Sequence, residues 1–155
     1  MPKTAGSVAS HDPEVRARFE VSPGDSLDLG DGAQLNVVEA DTSGTLLLLE
    51  WHSFRALLPY PAANTPLANI TAAPPTAVNL LLLAGHGEAA LNPPAWLSDL
   101  QPQLVIASLD PSATQPQIEA QVQAALKDYP LLTNIDHGWI EVSTDGDKMW
   151  VTTAR

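Results

Sequence analysis

The sequence predicts a single α/β layered domain, and three observations carry that prediction. A chain of 155 residues with 45% hydrophobic content is long enough to bury one core and too short to favour two. The runs LLLLA at Leu80–Ala84 and LVIASL at Leu104–Leu109 are continuously apolar, as strands covered on both faces are. Between and after them, apolar residues at helical spacing separate short strand-like segments, the alternation expected of α/β layers.

Taken in order, residues 1–18 are small, polar and aperiodic, and are expected to form a flexible tail ahead of a domain over 19–155. Phe19-Glu20-Val21 begins the patterned region, and Ser22-Pro23-Gly24-Asp25 reads as a turn. Leu27-Asp28-Leu29 then alternates up to Gly30-Asp31-Gly32, where Asp-Gly marks a hairpin because glycine supplies the positive φ of a tight turn. Gln34–Ala40 and Gly44–Glu50 are the next strands, and Trp51-His52-Ser53 turns the chain into Phe54–Leu58.

Residues 59–77 hold Pro59, Pro61, Pro66, Pro74 and Pro75, which makes them a poor helix and a poor central strand. A long irregular connection is expected there. Val78–Ala84 is expected as a buried strand, and Pro93–Leu100 as a short helix opened by proline in its first turn. Leu104–Leu109 is a second buried strand. Gln115–Lys127 places Ile118, Val122, Ala125 and Leu126 on one helical face, and Tyr129-Pro130 stops that helix. Leu131–Asn134, Gly138–Thr144 and Lys148–Thr153 close the chain as strands, the last two joined by Asp145-Gly146 as a two-residue turn.

Composition narrows the function. Seven basic against eighteen acidic residues give a net charge of −11, and a uniformly acidic surface repels phosphate backbones, so direct nucleic-acid binding is disfavoured. There are no cysteines, hence no disulfide, no cysteine nucleophile and no thiolate metal site. The longest apolar run falls far short of the roughly 20 residues that a membrane helix needs. The N-terminus lacks the apolar stretch of a signal peptide, so the default location is the cytoplasm unless the chain is a fragment of a membrane protein.

The phrases SPGDSLDLGDGAQLNVVEA, TLLLLEWHSFRALLP, LLLLAGHGEAALNPPAWLSDLQPQLVIASLD and NIDHGWIEVSTDGDKMWV follow one another over residues 20–152. In that order the chain resembles the C-terminal half of the metallo-β-lactamase-like domain of ComEC-like DNA-uptake proteins. The resemblance implies the C-terminal half of an αββα sandwich: a mixed sheet with helices and a terminal β-hairpin. It also implies a metal-dependent hydrolase ancestry, and here the departures are informative. The family's H-x-H-x-D-H element has no counterpart in these residues. Its bridging aspartate after L-L-T-G corresponds to Pro59-Tyr60-Pro61, and its G-H-P segment to Asp110–Pro116, without a histidine. Only Gly85-His86-Gly87-Glu88, where the family reads H-H-G-S, keeps a ligand position, that of His86.

His86 is therefore expected as a vestigial metal ligand or a hydrogen-bonding residue at a strand end. Glu88 and His137 are accessory candidates: Glu88 as an acid–base companion of His86, and His137 in the Asp136-His137-Gly138 turn before the last hairpin. No catalytic residue is assigned. Asp25, Asp28 and Asp31, and likewise Asp145 and Asp147, fall in turns and are expected there for conformational reasons, and Trp51, Trp96, Trp139 and Trp150 read as core or interface anchors.

Two functions follow. The first is a non-catalytic interaction or assembly module with no cofactor, in which a second copy or another protein covers a sheet face that the missing half would have buried. The second is a part of a metal-dependent hydrolase or nuclease, using zinc or manganese, whose remaining ligands come from a missing segment or a partner chain.

Overall fold

The computed structural model describes residues 20–42, 44–61, 77–114 and 117–155. The expected tail over 1–18 and the connection over 62–76 lie outside the described residues. The remainder is an α/β domain built on one mixed sheet of seven strands in sequential order, with a separate two-stranded hairpin.

Strands β1 (Ser26–Gly30), β2 (Ala33–Asp41), β3 (Gly44–Trp51) and β4 (Phe54–Pro61) form an antiparallel meander. The Asp31-Gly32 turn between β1 and β2 has positive φ at both residues (53° and 81°), as a tight two-residue hairpin requires. Strand order then continues in parallel through β5 (Leu80–Leu82), β6 (Leu104–Ala107) and β7 (Leu131–Thr133). Helix α1 (Pro94–Leu100) crosses from β5 to β6, and α2 (Ala120–Ala125) from β6 to β7.

Both helices lie on one face of the sheet. Leu97 and Leu100 of α1 and Val122 of α2, with Ile118 and Leu126, bury themselves against Leu46, Leu48, Leu57, Leu81 and Val105. Alternation along the strands sends the next residues to the opposite face. There Phe54, Ala56, Leu80 and Leu104 meet Leu49, Leu58, Ile106 and Leu132, and part of that face is covered by Val142 and Met149 of the hairpin β8 (Ile140–Thr144) and β9 (Met149–Thr153).

The tip of that hairpin is fixed to the β3–β4 turn. The carbonyl of Gly146 accepts from the N–H groups of Ser53 and Phe54 at 2.9 and 2.8 Å, and from the Ser53 hydroxyl at 3.1 Å. Gly146 sits at φ +94°, and a Cβ there would come within 2.8 Å of the His52 ring. This approach therefore requires glycine.

Several expectations change, among them the helix over Gln115–Lys127, which within the described residues spans only Ala120–Ala125. Pro59 and Pro61 belong to β4, not to a loop, opposite Leu46 and Gly44 of β3. The N–H and C=O of Arg55 bond to Asn79 on the β5 side, so the missing donors of Pro59 and Pro61, two and three alternations on, face that same side. Pairing with β5 ends at Leu57, so no described partner needs them. Glu20 and Val21, where the patterned region begins, are not in a strand, and Val78–Ala84 shortens to Leu80–Leu82. Asn134–His137 is a helical turn, α3, in which Thr133 caps the N–H of Asp136 and bonds its carboxylate at 2.7 Å. The last hairpin turns through Asp145–Lys148 instead of two residues, because the Asp145 carboxylate captures the N–H groups of Asp147 and Lys148.

Candidate functional site

His86 stands where the apolar strand β5 ends, at the carboxyl edge of the parallel part of the sheet, the edge at which open α/β sheets present ligand sites. The loop that carries it is rigidly built. Gly85 and Gly87 have φ of +48° and +86°, and a Cβ at either would collide with Leu91 or Ile118. His86 itself takes φ +59°, a left-handed conformation that is costly for a histidine.

Asn92 holds this loop. It is 1% exposed, its carbonyl oxygen accepts from Ala84 N–H at 2.9 Å, and its amide donates to the carbonyls of Ala84 and Glu88 at 2.9 and 2.7 Å. The side chain thus replaces a strand neighbour where β5 runs out. Asn134 does the same for β6, bonding both the N–H and the carbonyl of Leu109.

His86, Glu88, Leu109, Asp110, Ala113, Gln117 and Glu119 line an open cleft of about 290 Å³. The His86 Nδ1 lies 2.6 Å from the carbonyl of Ser108, which fixes the proton on Nδ1 and leaves Nε2 as the acceptor of the neutral ring. The Ser112 hydroxyl and then its N–H, at 2.7 and 2.8 Å, hold the Asp110 carboxyl below its ordinary 3.8, and the nearby His86 acts in the same direction. His86 and Glu88 therefore share a wall of one cleft.

His137 does not join them. Its Nδ1 faces the Thr133 backbone, 3.1 Å from the carbonyl and 3.3 Å from the N–H, so it closes the α3 turn. His52 is exposed in the β3–β4 turn, edge-on to Trp51 at 5.8 Å. Asp110 and Glu119 are the cleft residues that sequence reasoning missed. Asp110 was legible as an Asp-Pro-Ser turn after an apolar strand, whereas Glu119 carries no local signal. Among the described residues, no three His, Asp or Glu side chains gather so as to hold a metal ion.

The opposite, hairpin side of the sheet differs in kind. Register places Leu27, Leu35, Val37, Thr45, Leu47, Leu49, Ala56, Leu58 and Tyr60 on it, none of them charged. Away from the hairpin the face is exposed at Leu27 (58%) and Tyr60 (76%), whereas Val37 between them is buried. A cavity of about 570 Å³ lies there among Val21, Leu27, Leu35, Val37, Leu47 and Tyr60, rimmed by Glu20 and Asp25. No helix among the described residues is long and apolar enough to cross a membrane.

Compared with family models, curated proteins and solved structures, the chain shows no significant match.

Proposed function

We propose that this chain is a non-catalytic interaction and assembly module, a degenerate ComEC-like metallo-β-lactamase-type half-domain, and that a second copy covers its open sheet face. The observation that carries this reading is the uncharged face over β1–β4. The strand residues that form it carry no charge, so covering it with a second copy buries no strand carboxylate, and Glu20 and Asp25 stay at the rim. Apolar sheet faces are stabilised by burial against another apolar layer about 10 Å away. The order of the sequence motifs supports the ancestry, and in that ancestry a second sheet packs on the corresponding side.

Sedimentation velocity from low to high micromolar concentration tests the reading. A concentration-dependent dimer is expected, unaffected by His86→Ala, while a clean monomer throughout contradicts it.

A second reading has one observation in its favour. The Nδ1 of His86 is held by a carbonyl, as the outer nitrogen of a ligand histidine commonly is, beside Glu88, Asp110 and Glu119. In that reading the chain is part of a zinc- or manganese-dependent hydrolase or nuclease completed by another segment or chain. Stoichiometric metal in the purified protein, lost in His86→Ala, would favour it over the first.

A further inference from the structure

The β8–β9 hairpin is lightly joined to the rest of the fold. Its strands pair with each other and form a sheet of their own. Among the described residues, the hydrogen bonds that tie it to the seven-stranded sheet gather at its tip. There the Gly146 carbonyl accepts from the Ser53 and Phe54 N–H groups and from the Ser53 hydroxyl, which also lies 2.9 Å from the Asp147 carboxylate.

Packing is equally uneven. Gly146 is the one fully buried position between Ile140 and Thr153. Val142 and Met149, which touch the sheet, are only partly buried, and Val151, on the same side of the hairpin, stays 38% exposed. The sheet residues beneath are closed off far more completely: Phe54, Ala56, Leu80 and Leu104 are 4, 1, 9 and 5% exposed. The hairpin screens that cluster without entering it. At its other end the chain reaches β8 through Gly138, at φ +73° and ψ −136°, a conformation open to glycine and strained for residues with a side chain. Gly138 follows α3, which the Thr133–Asp136 contact anchors to the end of β7. A glycine between an anchored turn and a lightly held element is suited to act as a hinge.

We propose that β8–β9 and its loop form a strap that opens as one unit about Gly138 while the seven-stranded sheet stays folded, with the Gly146–Ser53 contact as its latch. Release gives up the tip bonds and the Val142 and Met149 contacts, whereas global unfolding gives up the helix-side core as well. Opening uncovers Phe54, Ala56, Leu80 and Leu104, which continue across β4–β6 the apolar face exposed at Leu27 and Tyr60. The strap thereby sets how much of that face solvent can reach. The device belongs to a single chain and does not rest on the assembly reading above.

Hydrogen exchange read by mass spectrometry at low micromolar concentration tests it. An isolated two-stranded hairpin is marginal in water, so the β8–β9 amides exchange once the strap leaves the sheet. In wild type their protection is expected to be at least about tenfold below that of β5 and β6, with a weaker dependence on urea because less surface is exposed. Gly146→Ala should lower hairpin protection by a further factor of about ten. Val122→Ala lies in the core on the helix side of the sheet. It should speed exchange in β5 and β6 and leave the hairpin rate unchanged, since the sheet is folded whether the strap is open or closed. Equal acceleration of both by Val122→Ala, or one protection and one urea dependence for both in wild type, overturns the strap. Hairpin exchange that Gly146→Ala leaves unchanged marks strand-by-strand fraying and overturns the single latched unit. A wild type that is monomeric in sedimentation leaves the strap standing, and a hairpin that opens only with the whole fold leaves the dimer standing.

Discussion

Asn92 and Asp145 show how single side chains replace backbone partners in this fold. Asn92 is buried with all three of its described hydrogen bonds made to the backbone of the His86 loop. Truncating it takes the partner from the Ala84 N–H and leaves the Ala84 and Glu88 carbonyls with their backbone donors alone, and Asn92→Ala is expected to cost about 1–3 kcal/mol of stability in urea unfolding. Asp145 accepts from the N–H groups of Lys148 and Asp147, and these bonds, the Lys148 one foremost, hold its carboxyl below its ordinary 3.8. A carboxyl lowered in the folded state adds stability that is complete above its unfolded value and is lost as pH falls through the folded one. Asp145→Asn should therefore lower the melting temperature at neutral pH, with the gap to wild type closing as pH drops below 3.8. At this scale the sequence was partly legible. Gly85 and Gly87 announced the turn that carries His86, because glycine there means positive φ. Asn92, in an Asn-Pro-Pro stretch, looked like any loop residue, since its burial depends on strands distant in sequence.

Elements that declare themselves by local chemistry were legible, and those set by distant neighbours were not. The Asp31-Gly32 hairpin, the apolar strands β5 and β6 and the proline-opened α1 follow from turn residues and periodicity. Pro59 and Pro61 argued against a strand by the general rule, yet β4 runs through both, because their missing donors face a side where β5 has stopped pairing. The α3 turn was hidden in a segment that continued the apolar run of β7, and only the Thr133–Asp136 capping contact reveals it. The β8–β9 hairpin was expected, but not its seat: Gly146 docks on the Ser53 turn at a distance that admits no side chain. Gly146→Ala combines a φ of +94° with a clash against His52, and is expected to cost about 1–3 kcal/mol. Loosening the hairpin also uncovers Phe54 and Ala56, so the same variant should bind more of an apolar dye such as ANS than wild type does at equal concentration.

For the whole molecule, the sheet divides the chemistry. Its helix side holds the main core over β3–β6, its carboxyl edge carries the acidic cleft around His86, and the strand residues on its hairpin side form an uncharged face that the hairpin covers in part. From the sequence His86 and Glu88 were singled out as a ligand position and its companion, whereas Asp110 and Glu119, which join them in the cleft, come from later elements. An apolar sheet face was expected only as a consequence of a missing half, and its partial cover by Val142 and Met149 of the hairpin is a property of tertiary packing. On this account the open face, not the cleft, is the working surface. Sedimentation velocity of wild type beside Leu27→Ala across the micromolar range tests that most directly. The account predicts a wild-type dimer that Leu27→Ala weakens without loss of folding, and a wild-type protein that stays monomeric at high micromolar concentration would contradict it.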